Sequence, residues 1–273
     1  MNFQRLFLML FSCALLLGSC SGLSHLESAQ SAFSQAAEIE NTNRYSYERE
    51  VSASPAIYYQ LAQTEIEQAL KKERKLEGLR LLGHALALKA MTEWRLKEYG
   101  AARISSKEAL RAFDRLEQRQ SRDEAMMLAL PDLIQLDSSR AEIFTFFATK
   151  RSLPEAEAFY AAEVHNLENP QQGGLYAAVE ALEKLQLPPG APPTLEAYFL
   201  QARLAGLQSW DRALDFMRQT ILSGEAERDR LDERYSQEYE QYLQPRKAAA
   251  LERLQEVLPG GTAHPVYQFW KLR

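Results

Sequence analysis

Through nearly the whole body of the chain, apolar residues recur at intervals of three and four, and no segment alternates apolar and polar positions long enough to form a strand of a sheet. That spacing lines apolar side chains along one face of an α-helix. Ala, Leu, Glu, Arg and Gln dominate and β-branched residues are sparse, a composition that favours helix independently of the pattern. Turn-forming clusters interrupt the periodicity at Asn41-Thr42-Asn43, Ser52 to Pro55, Ser121-Arg122-Asp123, Asp137-Ser138-Ser139, Ser152 to Pro154, Asn166 to Gly174, Leu187 to Pro193, Pro245, and Leu258 to Pro265. Roughly a dozen helices fit between them, joined by loops short enough to make antiparallel pairs. The predicted fold class is all-α.

The N-terminus breaks this pattern. Leu6 to Leu17 is an almost unbroken apolar run, and Arg5 is the only charged side chain before Glu27. The run is about 12 residues long, whereas a helix that crosses a bilayer needs about 20, so residues 1–19 are predicted to be a cleaved secretion signal. Directly after the run stands Leu17-Gly18-Ser19-Cys20, which resembles the lipobox of bacterial lipoproteins. The resemblance implies cleavage before Cys20, a diacylglycerol on its thiol and an acyl chain such as palmitate on its new amino group. Several acyl chains hold a protein to a bilayer without spanning it. In that family an Asp after the cysteine accompanies inner-membrane retention; Ser21 stands there instead, which implies a lipid anchor in the outer membrane, facing the periplasm.

Removal of residues 1–19 from the 273 leaves 254, enough for one large domain or two small ones. Arg5 leaves with the signal, which takes the formal charge from −5 to −6. Such a mildly acidic balance speaks against a nucleic-acid partner. Cys13 and Cys20 are the only cysteines; with one lost and the other lipidated, the mature body holds no disulfide and stability rests on packing.

Within the helical body one stretch has the marks of a repeat. Ala90, Trp94, Tyr99, Ala102, Ala109, Leu110 and Phe113 follow one another across residues 86–113. This resembles a tetratricopeptide repeat, in which small residues let two helices approach closely and an aromatic at the turn plugs the gap between them. A second copy is read through Leu200, Leu204, Gly206, Trp210, Ala213, Leu214 and Met217, with Trp210 in the place of Tyr99. Fainter echoes are Ala29, Phe33 and Ala36, matching a second helix, and Tyr58, Leu61 and Ala62, matching a first. The resemblance implies a tetratricopeptide-like α-α superhelix, irregular in the middle. Domain organisation follows: 1–19 signal peptide; 20–53 lipidated N-terminus and tether with one helix; 54–120 tetratricopeptide-like repeats; 121–190 an irregular helical region; 191–258 tetratricopeptide-like helices and a charged helix; 259–273 an aromatic tail. The charged helix carries Tyr235, Tyr239 and Tyr242 on one face, and the tail's Tyr267, Phe269 and Trp270 are expected to dock back on the last helices.

The search for chemistry is brief. There is no H-E-x-x-H, no G-x-S-x-G, no phosphate-cradling Gly-rich loop and no paired-Cys motif. His25, His84, His165 and His264 lie far apart; His84 reads as a hydrogen-bonded structural histidine, and His165 stands near Glu163 and Glu168. No catalytic residue, metal ligand or cofactor is predicted. The leading expectation is a non-enzymatic, lipid-anchored helical-repeat scaffold that binds an envelope protein or peptide partner, with Tyr58, Gln60, Glu93, Arg203 and Gln208 as candidate groove residues. The alternatives are a small-ligand carrier with Phe144, Phe146, Phe147, Phe159 and Tyr160 around a pocket in residues 140–200, and a cell-wall-associated enzyme.

Overall fold

A computed structural model describes residues 22–40, 42, 54–172, 174–221 and 228–273. Residues 1–19, expected to be a secretion signal, and Cys20 lie outside the described residues. Among the described residues there is no strand, and the chain is all-α. It divides into two units at the Leu128–Ala129 bond.

In the first unit, α1 spans 22–40 and is the single helix predicted in 20–53. There follow α2 (Pro55–Leu70), α3 (Glu73–Gly78), α4 (Leu82–Arg95), α5 (Tyr99–Arg115) and α6 (Arg119–Arg122). α2 opens on a proline, whose fixed φ and missing N–H suit a first helical turn. Leu26 and Ala29 of α1, Ile66 and Ala69 of α2, Leu76 of α3, Leu82, Ala85 and Leu88 of α4 and Ala112 of α5 form one core. Their spacings of three and four are those the pattern predicts.

The tetratricopeptide-like stretch is the pair α4 and α5. Gly83 at the start of α4 meets Phe113 near the end of α5, so the two run antiparallel; a Cβ on Gly83 would lie 2.4 Å from the Phe113 ring. Ala90, Ala102 and Ala109 are all but fully buried in this pair. Such close approach is what small residues permit.

Three successive turns in this unit share one construction. Arg80, Lys97 and Glu117 have φ of 60°, 65° and 55°, the left-handed region that ordinary residues enter at a cost. Each follows the C-cap of α3, α4 or α5. Around them the Leu81, Glu98 and Gln118 amides donate to the carbonyls of Leu76, Glu93 and Phe113, five positions back. The Arg80, Lys97 and Glu117 amides donate to Glu77, Trp94 and Asp114. These are Schellman caps, which satisfy the open carbonyls of a helix end.

α7 (Ala125–Phe146) begins in the first unit and continues as the opening helix of the second. Next come α8 (Leu153–Phe159), a π-helical turn (Tyr160–Val164), α9 (Gly174–Lys184) and α10 (Pro193–Ile221). The chain closes with α11 (Arg228–Glu238), a second π-helical turn (Tyr239–Leu243), α12 (Gln244–Val257) and α13 (Pro265–Lys271). At the start of α8 the Glu155 carboxylate accepts from the Ser152 amide and hydroxyl; those bonds hold its pKa below the usual carboxylate range. Ala197, Leu200 and Leu204 of α10 pack on Ala250 and Leu254 of α12, with Val266 and Trp270 of α13 against them. The aromatic tail thus docks back on the last helices.

Four expectations are corrected here. The residues read as a second helix-turn-helix copy, Leu200 to Met217, all lie on the uninterrupted α10, so Trp210 plugs no turn. Gly206 still marks a close approach, since a Cβ there would come within 2.8 Å of Val179 and 3.0 Å of Leu136. Asp137-Ser138-Ser139 does not break α7: Ser138 donates to Glu142 and Ser139 accepts from Gln135, so the hydroxyls are satisfied within the helix. Pro245 does not break the helical run either: it stands directly after the π-helical turn 239–243, at the start of α12, and residues 228–257 are helical throughout. Finally, the π-helical turn at 239–243 inserts an extra residue into the tyrosine stripe and shifts its phase.

Candidate functional site

The first unit holds a cleft of about 410 Å³. One wall is the α1 face carrying Leu26, Gln30, Phe33 and Ser34; the other is Leu81, His84, Leu88 and Met91 at the start of and along α4. Phe113, Ser121, Glu124 and Met127 complete it. Both walls present positions spaced by three and four, as helices packed side by side must. Glu124 is the only formally charged residue in this lining. His84 is exposed and stands edge-on to Phe113, ring centroids 5.0 Å apart. It is part of the cleft's lip instead of the structural histidine expected from its apolar neighbours.

The predicted groove residues are divided between the two units, and none of them lines this cleft. On α2, Tyr58 is half-buried and Gln60 exposed. Glu93 is buried in α4 with an ion pair to Lys89 at 2.9 Å. Arg203 on α10 pairs with Glu183 at 3.1 Å, and Gln208 is half-buried on the same helix. Both charged residues are thus held by ion pairs inside their own unit, although Glu93 Oε2 and Arg203 Nε find no hydrogen-bond partner among the described residues.

In the second unit a polar cluster is sealed in the core. Glu238 Oε1 accepts from the Tyr160 hydroxyl at 2.6 Å and from Trp210 Nε1 at 2.9 Å, and His165 Nδ1 lies 2.9 Å from the same oxygen. Trp210 Nε1 also donates to the Tyr160 oxygen at 2.8 Å. None of the four residues is more than 2 % exposed. Both π-helical turns serve this cluster: Tyr160 opens one and His165 follows it, while Glu238 immediately precedes the other. Such turns often mark places where a side chain has been re-aimed. Burial, then the Glu238 charge, push the Tyr160 phenol well above its usual range.

Glu238 Oε2 and His165 Nε2 find no hydrogen-bond partner among the described residues. Carboxylate, imidazole and phenol are proton-transfer groups, yet a substrate would reach them only by parting the helices that enclose them. The His165 ring is further packed by Tyr176 at 4.4 Å, Trp210 at 5.0 Å and Tyr242 at 5.3 Å. Arg246 then donates to Tyr176 and Glu183, which ties α12 to α9. His165 was conspicuous in the sequence beside Glu163 and Glu168, but its partner is 73 positions away. A signal for that partner did exist: Glu238 falls three residues after Tyr235 and four before Tyr242, an acid set among the tyrosines.

The aromatic residues of 140–200 stack on one another. Phe146 lies flat on Phe159 at 3.8 Å, Phe147 on Phe216 at 5.1 Å, and the Arg151 guanidinium caps Phe146 at 4.6 Å. Phe144 points away, 74 % exposed, and Tyr160 belongs to the buried cluster. Among the described residues, no group of three or more His, Cys, Asp or Glu side chains is placed to hold a metal ion, and no helix is long and apolar enough to cross a membrane. Set against known protein families, curated proteins and solved structures, the chain matches none.

Proposed function

We propose that the protein is a non-enzymatic, lipid-anchored helical scaffold that holds a protein or peptide partner at the periplasmic face of the outer membrane. What carries the reading is the α1–α4 cleft: a concave, mostly apolar surface with a thin polar margin, the form that recognition surfaces share. The tetratricopeptide-like α4–α5 pair supplies its floor through Phe113, and the lipobox resemblance at Cys20 supplies the anchor. The buried Glu238 cluster has the character of a structural network, since Tyr160, Trp210 and His165 all converge on Glu238 Oε1 inside the packed core.

The experiment is crosslinking in intact cells from photoreactive residues placed at Phe33 and Met91, with mass spectrometry of the intact N-terminus. One protein captured from both positions, and from no position on the far side of the unit such as Arg111, agrees with the proposal. A partner captured equally from Arg111, or an unacylated Cys20, sinks the corresponding half.

A further inference from the structure

Resting on the reading of the cleft as a binding site, we infer that its occupant is an amphipathic helix, with apolar anchors spaced by three and four and a Lys or Arg where it meets Glu124. The first ground is main-chain chemistry. An extended peptide laid in this cleft would bury N–H and C=O groups, and each buried without a partner is costly. The walls are helices whose own backbone groups are already paired, and the polar side chains they offer are confined to Gln30, Ser34, His84, Ser121 and Glu124. A helix satisfies its backbone internally and asks nothing of an apolar wall.

The second ground is spacing and length. From Leu26 to Ser34 the α1 wall rises about 12 Å, and from Leu81 to Met91 the other rises about 15 Å, two to three helical turns. Rows of side chains at such intervals interdigitate with the same intervals on a third helix. Met91, Met127 and Phe33 are adaptable apolar surfaces of the kind that grip helix anchors. The third ground is charge. With Glu124 the one formal charge in the lining, an acidic residue at that point of the occupant is repelled and a basic one attracted.

The test pans the full mature chain against displayed random peptides of about 16 residues, four to five turns if helical. Selected peptides are then titrated against wild type, Met91→Asp, His84→Trp and Glu124→Arg. His84 is exposed and stands edge-on to Phe113 at the cleft, so His84→Trp obstructs the cleft from its surface. The inference expects peptides with apolar residues every three or four positions that become helical on binding and lose at least about tenfold in affinity to Met91→Asp and His84→Trp. It also expects Glu124→Arg to shift preference from basic to acidic peptides by roughly threefold, the scale of an exposed pair. Extended or proline-rich peptides that still depend on Met91 and His84 overturn the helix while leaving the cleft as the binding site. Peptides indifferent to both variants, or no selected peptide, overturn the cleft reading itself.

Discussion

Tyr160 and Glu238, 78 positions apart in the chain, share a 2.6 Å hydrogen bond inside the second unit. The bond joins two π-helical turns, and Trp210 and His165 close on the same carboxylate oxygen. Removal of that oxygen leaves the Tyr160 hydroxyl without its acceptor and His165 Nδ1 without its neighbour, while Trp210 Nε1 keeps its bond to the Tyr160 oxygen. Glu238→Ala is expected to cost about 1–3 kcal/mol for each polar group it leaves buried without a partner. Chemical denaturation of Glu238→Ala, His165→Leu and the double variant provides the check. The double variant should cost clearly less than the sum, because an apolar replacement of both partners leaves neither of them buried without the other.

Alkaline pH probes the buried phenols. Burial raises Tyr235 and Tyr160 above the ordinary value of 10.0, so each stays neutral in the fold while its unfolded counterpart ionises. Their contribution is therefore complete below pH 10.0 and is lost as pH rises from there towards the folded value, at up to about 1.4 kcal/mol per pH unit for each phenol. Stability measured as a function of pH above 10 should fall less steeply in Tyr235→Phe than in wild type. Equal slopes would show that Tyr235 titrates normally.

The Schellman caps predict stabilising substitutions. Lys97 is exposed with φ of 65°. Lys97→Gly is expected to raise thermal stability by about 1 kcal/mol, and Lys97→Val, β-branched, to lower it by as much or more. Arg80→Gly and Glu117→Gly should follow the same sign. A loss in all three glycine variants would contradict the left-handed assignment.

Gly83 tests the α4–α5 contact. Because a Cβ there overlaps the Phe113 ring, Gly83→Ala should destabilise by about 1–3 kcal/mol despite alanine's better helix propensity. Gly78, which has nothing within 4 Å, supplies the control: Gly78→Ala should be neutral or mildly stabilising. Combination with Phe113→Leu should recover part of the Gly83→Ala loss, measured as a double-mutant cycle.

Fold class was legible because it depends on local periodicity: the α4–α5 pair and the docked tail follow from spacing that residues near in sequence create. What escaped depended on neighbours far along the chain. Trp210 and Ala213 imitate a repeat turn because the same small and aromatic residues also serve where one long helix is crossed closely, as Val179 and Leu136 cross Gly206. Arg80, Lys97 and Glu117 carry no glycine signal, so three turns of one construction were invisible. The cleft was hidden for a related reason. One of its walls comes from α1, a helix expected to be part of a tether, and only the packed unit brings Phe33 opposite Met91.

Gly22 is the first described residue of α1, and Leu26 and Ala29 soon after it are in the core. Were the chain anchored at Cys20, as we propose, Ser21 alone would stand between the anchored residue and Gly22, a span that two Cα steps limit to about 7 Å. A protein so anchored would be bolted to the bilayer as a bracket is to a wall, where a long leash would let it sweep. Its α1 wall would start within about 15 Å of the acyl chains, so whatever the cleft grips is held at the membrane surface, in a limited range of orientations.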